Sequence, residues 1–352
     1  MLMSSSIPSA SIVVPCRNER HHIEACLRSI LAQQSPQGGF EVIVADGMSD
    51  DGTREILAQL AASDARLRVI DNPGRTVSTG LNAAIEAAHG QVILRMDAHT
   101  TYAQDYVRRC LEVLYETGAD NVGGPWVARG DAYMSRAIAA AFQSPFAAGG
   151  ARAHHPGYEG PVDTVYLGCW PRQLFDWVGL FDEGLVRNQD DEFNLRLTRA
   201  GGSIWQSPSI RSWYRPRGSL TALVRQYLQY GYWKVRVIQK HKLPASPRHL
   251  IPACLVLLLF SLLVMAPWWS LAAWSLIGLL GMYTVSNLVA SLVTAARQEW
   301  RLLPLLPLVF AGYHFAYGCG FLGGVWDFVV RRREPRRAFT ELTRSSPSRS
   351  SQ

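Results

Sequence analysis

Ile93-Leu94-Arg95-Met96-Asp97-Ala98-His99 has the pattern of a short buried strand that ends in an aspartate and, two residues later, a histidine. In an extended segment, side chains two positions apart lie on the same side of the backbone. Asp97 and His99 could therefore bind one divalent cation at the strand end, because a carboxylate and an imidazole suit Mn²⁺, Mg²⁺ or Zn²⁺. The alternative is that Asp97 simply ends the strand and His99 lies in the turn that follows.

The residues before this stretch alternate between apolar runs and segments with helical spacing. Strands are predicted over residues 11–15, 40–45 and 66–70, each followed by a predicted helix. This alternation with short connections favours an α/β fold with a mostly parallel sheet. Glu19, Asp46 and Asp97 each come just after a predicted strand end, where ligands bind in such sheets. Because crowded carboxylates repel one another unless a cation or donor groups lie among them, we expect a metal ion and a hydrogen-bonding ligand at this rim.

Composition and charge exclude several protein classes. The net charge of the 352 residues is +7, but residues 331–352 hold seven Arg and two Glu, so the rest of the chain is nearly neutral. It has no clustered basic face of the kind that binds nucleic acid. The six Cys form no C-x-x-C pair, which favours reduced thiols over a disulfide framework or a zinc knuckle. Residues 1–10 have no basic segment or long apolar run, so we predict no signal peptide.

Three motifs in a fixed order resemble those of family 2 inverting glycosyltransferases with the GT-A fold. They are Val14-Pro15-Cys16-Arg17-Asn18-Glu19, Val44-Ala45-Asp46-Gly47-Met48-Ser49-Asp50-Asp51-Gly52-Thr53 and Asp97-Ala98-His99. The resemblance covers about residues 9–215 and implies a Rossmann-like, mostly parallel sheet flanked by helices. In that family the first acidic position binds the base or ribose of the nucleotide. An Asp-x-Asp motif holds Mn²⁺ or Mg²⁺ and the diphosphate, and His99 stands here in place of its second Asp.

The resemblance also implies a set of site residues. Metal ligands are expected at Asp97 and His99, with Mn²⁺ or Mg²⁺ as the cofactor. Contacts with a nucleotide sugar, UDP-linked, are expected at Pro15, Arg17, Asn18, Glu19, Asp46 and Asp97.

A second acidic cluster lies in Asn188-Gln189-Asp190-Asp191-Glu192-Phe193, where apolar spacing predicts that a helix begins near Asp190. The helix dipole alone favours acidic residues in a first turn. Inverting glycosyl transfer, however, needs a base that takes the proton of the acceptor hydroxyl. Matching Phe193 and Arg196 to the family's motif makes Asp190 that base, with Asp191 as the alternative.

The segment at residues 205–214 is predicted to be the last strand of this domain. Processive polysaccharide synthases carry a Gln-x-x-Arg-Trp motif near this point, and residues 206–213 do not match it. We therefore expect the addition of one sugar and no polymerisation.

The rest of the chain predicts attachment to a membrane. Residues 220–238 combine apolar residues at helical spacing with Arg, Lys and aromatic residues, which indicates a helix at a membrane interface; the alternative is a helix that packs on a protein core. Apolar runs at residues 250–266, 271–293 and 302–330 are candidate spans, although the first is slightly short and prolines interrupt the third. Three crossings from the cytoplasm would put the arginine-rich tail outside, against the positive-inside tendency, so the number of crossings stays open.

Four regions follow from these patterns: a cytoplasmic GT-A domain over residues 1–215, an interface helix and linker over 216–249, transmembrane helices over 250–330, and a basic, disordered tail over 331–352. The resemblance, which within the family points to glucosyltransferases of exopolysaccharide synthesis, implies a multi-pass enzyme of the bacterial inner membrane. It would move glucose from UDP-glucose to a polyprenyl-linked saccharide. The alternatives are a polyprenyl-phosphate sugar transferase and a non-catalytic membrane scaffold.

Overall fold

The computed structural model describes residues 9–244 and 246–340. The described chain divides into two compact units: residues 9–127 with 155–214, and residues 128–154 with 215–340. The first unit contains the strands β1 (Ala10–Cys16), β2 (Phe40–Asp46), β3 (Leu67–Asp71), β4 (Val92–Arg95), β5 (Thr100–Tyr102), β6 (Asn121–Gly124), β7 (Gly160–Pro161), β8 (Tyr166–Pro171), β9 (Ile204–Gln206) and β10 (Ser212–Tyr214).

Helices occur in both units. Those of the first unit are α1 (Ile23–Leu31), α2 (Thr53–Ser63), α3 (Val77–Glu86), α4 (Tyr106–Thr117), α7 (Leu174–Val178) and α8 (Gln189–Arg199). Those of the second are α5 (Tyr133–Phe142), α6 (Pro145–Ala148), α9 (Leu220–His241), α10 (Ile251–Met265), α11 (Ser270–Arg297), α12 (Leu306–Gly324) and α13 (Arg337–Thr340), with a π-helical turn over Val325–Val330 directly after α12.

An eight-stranded sheet organises the first unit, in the order β3-β2-β1-β4-β8-β6-β9-β7. Its first four strands are parallel, and β8 runs antiparallel to both β4 and β6. The predicted mostly parallel α/β sheet is therefore confirmed. Because β1 and β2 pair with Cys16 opposite Asp46, the residues that follow these two strands meet at one rim.

An aromatic cluster fixes α8 against the sheet. Phe193 of α8 stacks on Phe181 with ring centroids 4.5 Å apart, and Trp170 of β8 packs edge-on against both rings. Burial of such large rings contributes more free energy than the helix could gain from propensity alone. The anchored helix keeps a fixed place relative to β8 and its neighbour β4.

Two local predictions in this unit are wrong. β4 ends at Arg95, so Asp97 lies beyond the strand and His99 lies in a turn. The Thr100 N–H closes this turn by donating to the Asp97 carbonyl at 3.1 Å. The chain turns here because Thr100 begins β5, which pairs with β10. The single strand predicted over residues 205–214 is two strands, β9 and β10, separated by a turn at Pro208.

Three helices of the second unit are long and apolar enough to span a membrane: Pro247–Met265, Ser270–Arg297 and Leu306–Val330. The third is continuous in spite of Pro307, because a proline in the first helical turn displaces no hydrogen bond. The first two are 11% buried over their most apolar window, whereas the third is 39% buried.

Part of the tail that was predicted to be disordered is ordered. Phe339 stacks on Tyr232 of α9 at 4.0 Å, and Arg336 forms an ion pair with Asp327. These contacts supply burial and a charge partner that composition does not reveal. The remainder of the predicted disordered tail, residues 341–352, lies outside the described residues.

Candidate active site

Two loops at the rim, which follow β1 and β2, are joined by side-chain hydrogen bonds. The Asn18 amide donates to Asp50 Oδ1 at 2.9 Å and its Oδ1 accepts from the Asp50 N–H at 3.0 Å. The Asn18 N–H also donates to Ser49 Oγ at 2.8 Å. Asn18 adopts φ of 53°, a left-handed conformation that asparagine tolerates better than most residues. Its role in the fold is therefore to hold the two loops together.

Asp46 ends β2, and its side chain is 1% exposed. Its Oδ1 accepts from the Ser49 hydroxyl at 2.6 Å, and its Oδ2 accepts from Arg54 Nη1 at 3.1 Å. Pro15 lies opposite Ala45 in the neighbouring strand. The structure thus brings Asp46 to the rim as predicted, with both carboxylate oxygens already bound by donors from the protein.

Arg17 and Glu19 lie on the same rim. The Arg17 side chain passes so close to Gly47 that a Cβ there would lie 3.0 Å from Arg17 Cβ. The Glu19 N–H donates to Thr53 Oγ1 at 3.0 Å, and the Glu19 carboxylate is 3.8 Å from His99 Nδ1. The structure therefore gathers the predicted nucleotide-sugar residues of the first two motifs around one edge of the sheet.

Arg95, the last residue of β4, connects the two predicted chemical centres. Its side chain is 6% exposed. The guanidinium forms a forked contact with Asp97, in which Arg95 Nε is 2.8 Å from Asp97 Oδ1 and Arg95 Nη2 is 3.1 Å from Asp97 Oδ2. Its Nη1 donates to Asp190 Oδ1. Burial alone would lower the pKa of Arg95, but the carboxylates of Asp190 and Asp97 outweigh burial and raise it. A permanent buried cation thus holds Asp97 and the predicted base, Asp190, together.

Sequence reasoning assigned no role to Arg95, although a signal was present. An arginine between apolar residues at the end of a buried strand cannot stay unpaired. The sequence therefore implied carboxylate partners for it, but not which ones.

Asp190 lies in the first turn of α8, with its side chain 44% exposed. Shielding by surrounding protein atoms raises the pKa of this half-exposed carboxylate above the ordinary value, and the negative charges of Asp97 and Asp191 add to this effect. Arg95 acts in the opposite direction. A carboxylate that is reachable from solvent and has a raised pKa has the properties of a general base.

The two acidic neighbours of Asp190 point elsewhere, because each residue of a helix turns by about 100°. Glu192 is fully buried and pairs with Arg196, whose Nη2 is 3.0 Å from Glu192 Oε2. Arg196 also donates to the Leu180 carbonyl at 2.7 Å, so this pair fixes the segment that follows α7 to α8. Asp191 is partly exposed. Asp190 contacts Arg95 directly.

Tyrosine side chains hold the turn that carries Asp97 and His99. Tyr102 OH accepts from the Asp97 N–H at 2.6 Å and donates to the Asp97 carbonyl at 3.1 Å. Tyr166 OH shares a hydrogen bond with Thr100 Oγ1. Both rings are buried, and burial raises the pKa of each hydroxyl well above its ordinary value. The sequence analysis missed both residues, which are contributed by β5 and β8.

The turn offers one carboxylate and one imidazole, from Asp97 and His99, to a cation that a bound ligand would have to share. Within the described residues, no group of three or more His, Cys, Asp or Glu side chains is arranged to hold a metal ion alone. Mg²⁺ typically takes one or two carboxylates from the protein and the rest of its ligands from phosphates and water. Asp97 supplies one such carboxylate, whose two oxygens accept from Arg95 in this structure, and His99 would add a nitrogen ligand.

Comparisons with known proteins agree with this arrangement. Residues 11–157 match the family model described as Glycosyl transferase family 2. The succinoglycan biosynthesis protein ExoA of Rhizobium meliloti (strain 1021) is 32% identical over 328 residues, which cover 92% of this chain and 97% of the relative. Dolichyl N-acetyl-alpha-D-glucosaminyl phosphate 3-beta-D-2,3-diacetamido-2,3-dideoxy-beta-D-glucuronosyltransferase of Methanococcus voltae is 27% identical over 65% of this chain and 74% of its own length.

Solved structures show the same fold. The mannosyltransferase PcManGT from Pyrobaculum calidifontis, solved in complex with GDP-Man and Mn²⁺, superposes with a TM-score of 0.58. The superposition covers 90% of this chain and 87% of the mannosyltransferase at 19% sequence identity. At that identity the likeness concerns the fold.

Proposed function

The chain belongs to glycosyltransferase family 2, and on that premise we propose that it is a membrane-bound inverting enzyme that moves glucose from UDP-glucose onto a lipid-linked saccharide. The observation that carries the proposal is the contact of Arg95 with both Asp97 and Asp190. A direct displacement needs a base close to the bound donor, and Arg95 holds the candidate base Asp190 next to Asp97, the proposed donor-binding acid. The named role of ExoA in succinoglycan synthesis supports exopolysaccharide production as the setting.

The proposed reaction uses these residues in one displacement. Asp190 takes the proton of the acceptor hydroxyl as its oxygen attacks the anomeric carbon, and the bond from that carbon to the diphosphate breaks on the opposite face. The product has a β-linkage, and UDP leaves. Mn²⁺ or Mg²⁺, held by Asp97 and His99 with diphosphate oxygens, would neutralise the leaving group. Arg95 keeps both carboxylates in place throughout.

The acceptor follows from the second unit and from one relative. A soluble acceptor would not need the apolar helices, and the name of the Methanococcus voltae relative describes transfer to a dolichyl-phosphate-linked sugar. We therefore propose a polyprenyl-linked saccharide as the acceptor, in the inner membrane of a bacterium.

The experiment that tests this function incubates membranes containing the protein with a panel of labelled nucleotide sugars. We expect transfer from UDP-glucose and a lipid-linked product that is longer by one sugar. A product that is a sugar monophosphate lipid would instead assign the bare lipid phosphate as the acceptor. Failure to transfer or hydrolyse any donor would favour the non-catalytic scaffold.

The proposed metal ion leads to a separate prediction about the cation dependence of transfer. We expect EDTA to abolish transfer and Mn²⁺ or Mg²⁺ to restore it. Asp97→Asn should be far more damaging than His99→Asp, because the latter introduces the carboxylate that the family carries at this position. Calorimetric titration of Mn²⁺ into the UDP-bound protein gives a readout independent of turnover. Full activity in EDTA would disprove the metal role of this pair.

The packing of α9 bears on how the second unit meets the membrane. α9 and α12 run side by side in the same direction. The ring centroids of Tyr227 and Tyr313 are 4.4 Å apart, and those of Tyr232 and Phe328 are 4.6 Å apart. The approach is so close that a Cβ on Gly320 would lie 2.0 Å from the Leu228 carbonyl oxygen. Small residues allow such contact between helix backbones. The two helices therefore share one environment.

That environment is set by the charges of α9. The helix carries Arg225, Lys234, Arg236 and Lys240, and a Lys or Arg side chain at the centre of a bilayer costs roughly 2.5–3.5 kcal/mol. The helices α10 and α11 carry no such charges before Arg297. We propose that α10 and α11 insert into the membrane as a hairpin, while α9 and α12 lie at its cytoplasmic surface.

This topology predicts the side on which the chain ends. A reporter fused after Gln352 should be cytoplasmic, because a hairpin returns the chain to the side from which it entered. The arginine-rich tail would then follow the positive-inside tendency. A periplasmic reporter would mean that all three apolar helices cross and that α9 is not confined to the surface.

A further inference from the structure

A small basic pocket of about 390 Å³ lies at the end of the third apolar helix. Its lining includes Arg236 and Gln239 from α9, Phe328 from the π-helical turn, and Arg332, Arg333 and Glu334 from the chain that follows. Three arginines against one glutamate leave the lining with a net charge of +2. A volume of this size is within the range of ligand pockets.

The walls of the pocket are held in place by the protein itself. Gln239 Nε2 donates to the Phe328 carbonyl at 3.2 Å, and Arg236 Nη1 donates to Gln239 Oε1 at 3.2 Å. The Arg236 guanidinium lies over the Phe328 ring, 4.4 Å from its centroid. The Arg333 N–H donates to the Asp327 carbonyl at 2.9 Å. The Arg236 side chain and the backbone at Arg333 are therefore positioned before any ligand arrives, which lowers the entropy cost of binding.

The positive charge of the pocket is not cancelled by the acid beside it. The Asp327 carboxylate is bound by Arg336, with Nε 2.6 Å from Oδ2, and by the Tyr232 hydroxyl at 3.0 Å. No ion pair joins Arg332 or Arg333 to a carboxylate within residues 9–244 and 246–340. An anion that enters the pocket would meet the guanidinium groups of Arg332 and Arg333, which form no ion pair with a carboxylate of the described residues.

An apolar surface adjoins these charges. Trp326 is 47% exposed, Val329 50% and Val330 59%, and Arg331 follows directly. Arg331 stacks on Trp326, 5.1 Å from the ring centroid. Exposed tryptophan and valine next to arginine are typical of a segment between lipid tails and headgroups. A ligand that binds both the arginine-lined pocket and this apolar surface would be an amphiphile with an anionic phosphate group.

We propose that this pocket binds the phosphodiester of an anionic phospholipid, with the acyl chains along Trp326, Val329 and Val330. Guanidinium groups recognise phosphate oxygens through paired hydrogen bonds, and basic pockets beside membrane helices bind lipid headgroups in this way. The inference rests on the proposed placement of α9 and α12 at the membrane surface. Its consequence is that anionic lipid fixes the second unit to the cytoplasmic leaflet.

The test measures lipid binding and does not depend on sugar transfer. The full chain, purified in neutral detergent, is titrated with phosphatidylglycerol, phosphatidylcholine or polyprenyl phosphate, and bound lipid is counted by native mass spectrometry. We expect phosphatidylglycerol to bind best. The double variant Arg332→Gln/Arg333→Gln should bind it about 30-fold more weakly. Arg297→Gln is the matched control, because it removes an exposed arginine from the end of α11, and it should bind normally.

Several outcomes would overturn the proposal. These are equal binding of phosphatidylcholine, tighter binding of polyprenyl phosphate, displacement of the lipid by millimolar inorganic phosphate, or an equal loss in Arg297→Gln. Arg236→Gln probes the opposite wall and keeps the proposal testable if the double variant does not fold. Sugar transfer to a detergent-soluble acceptor is measured on the same samples, so that loss of lipid binding and loss of activity are distinguished.

Discussion

Asp190→Asn should bind UDP-glucose with normal affinity and lose its turnover. Removal of a general base lowers the rate by about 10²–10⁴-fold, and asparagine is nearly isosteric with aspartate. Donor affinity should survive because Arg95 keeps its forked contact with Asp97. If Asp190 only favoured the start of α8 through the helix dipole, loss of its charge would lower stability by about 0.3–1 kcal/mol and leave turnover unchanged. Calorimetry with UDP-glucose and a transfer assay separate the two interpretations.

Asp191→Asn is the matched control, since it makes the same change of charge one position further along α8. We expect a milder defect, because the charge of Asp191 raises the pKa of Asp190, whereas Asp190 itself contacts Arg95. An inactive Asp191→Asn variant together with an active Asp190→Asn variant would show that the match of this segment to the family's motif is off by one residue. Normal turnover in both variants would mean that the acceptor is activated elsewhere.

The sheet and its acidic rim could be predicted because their signals are local. Apolar runs mark β1, β2 and β3, and parallel strands bring their carboxyl ends to one edge whatever the details of packing. Asp46 therefore reached the rim as expected. The end of β4 could not be predicted. The Asp97 N–H donates to the hydroxyl of Tyr102 and not to a neighbouring strand, and the apolar residues of β4 give no sign of that contact.

The meeting of Asp190 with Arg95 is also beyond local sequence. The two residues are 95 positions apart, and their contact depends on how Phe193 of α8 packs against Phe181 and Trp170. A family motif indicated which acid acts as base, but a motif carries no information about its buried partner. In the second unit, the parallel packing of α9 on α12 likewise depends on close approach at Gly320, a contact between elements far apart in the chain.

Arg95 provides the second large expected effect. Arg95→Met removes the cation and leaves Asp97 and Asp190 without their shared partner, so this variant should lose about 3–5 kcal/mol of stability. Arg95→Lys keeps the charge but cannot form the forked contact. We expect it to fold and to lose turnover by about 10²-fold, the effect of a misplaced catalytic group. Thermal unfolding and the separate values of kcat and KM measure these outcomes.

The pH profile distinguishes a positioning role from a purely structural one. Arg95 opposes the rise in the pKa of Asp190, so weakening its contact raises that pKa further. Because the base must be deprotonated to accept a proton, the acidic limb of the kcat profile of Arg95→Lys should move to higher pH. A loss of stability alone would lower the amplitude and leave the midpoint of that limb unchanged. An unshifted midpoint with wild-type kcat would show that Asp190 does not depend on Arg95.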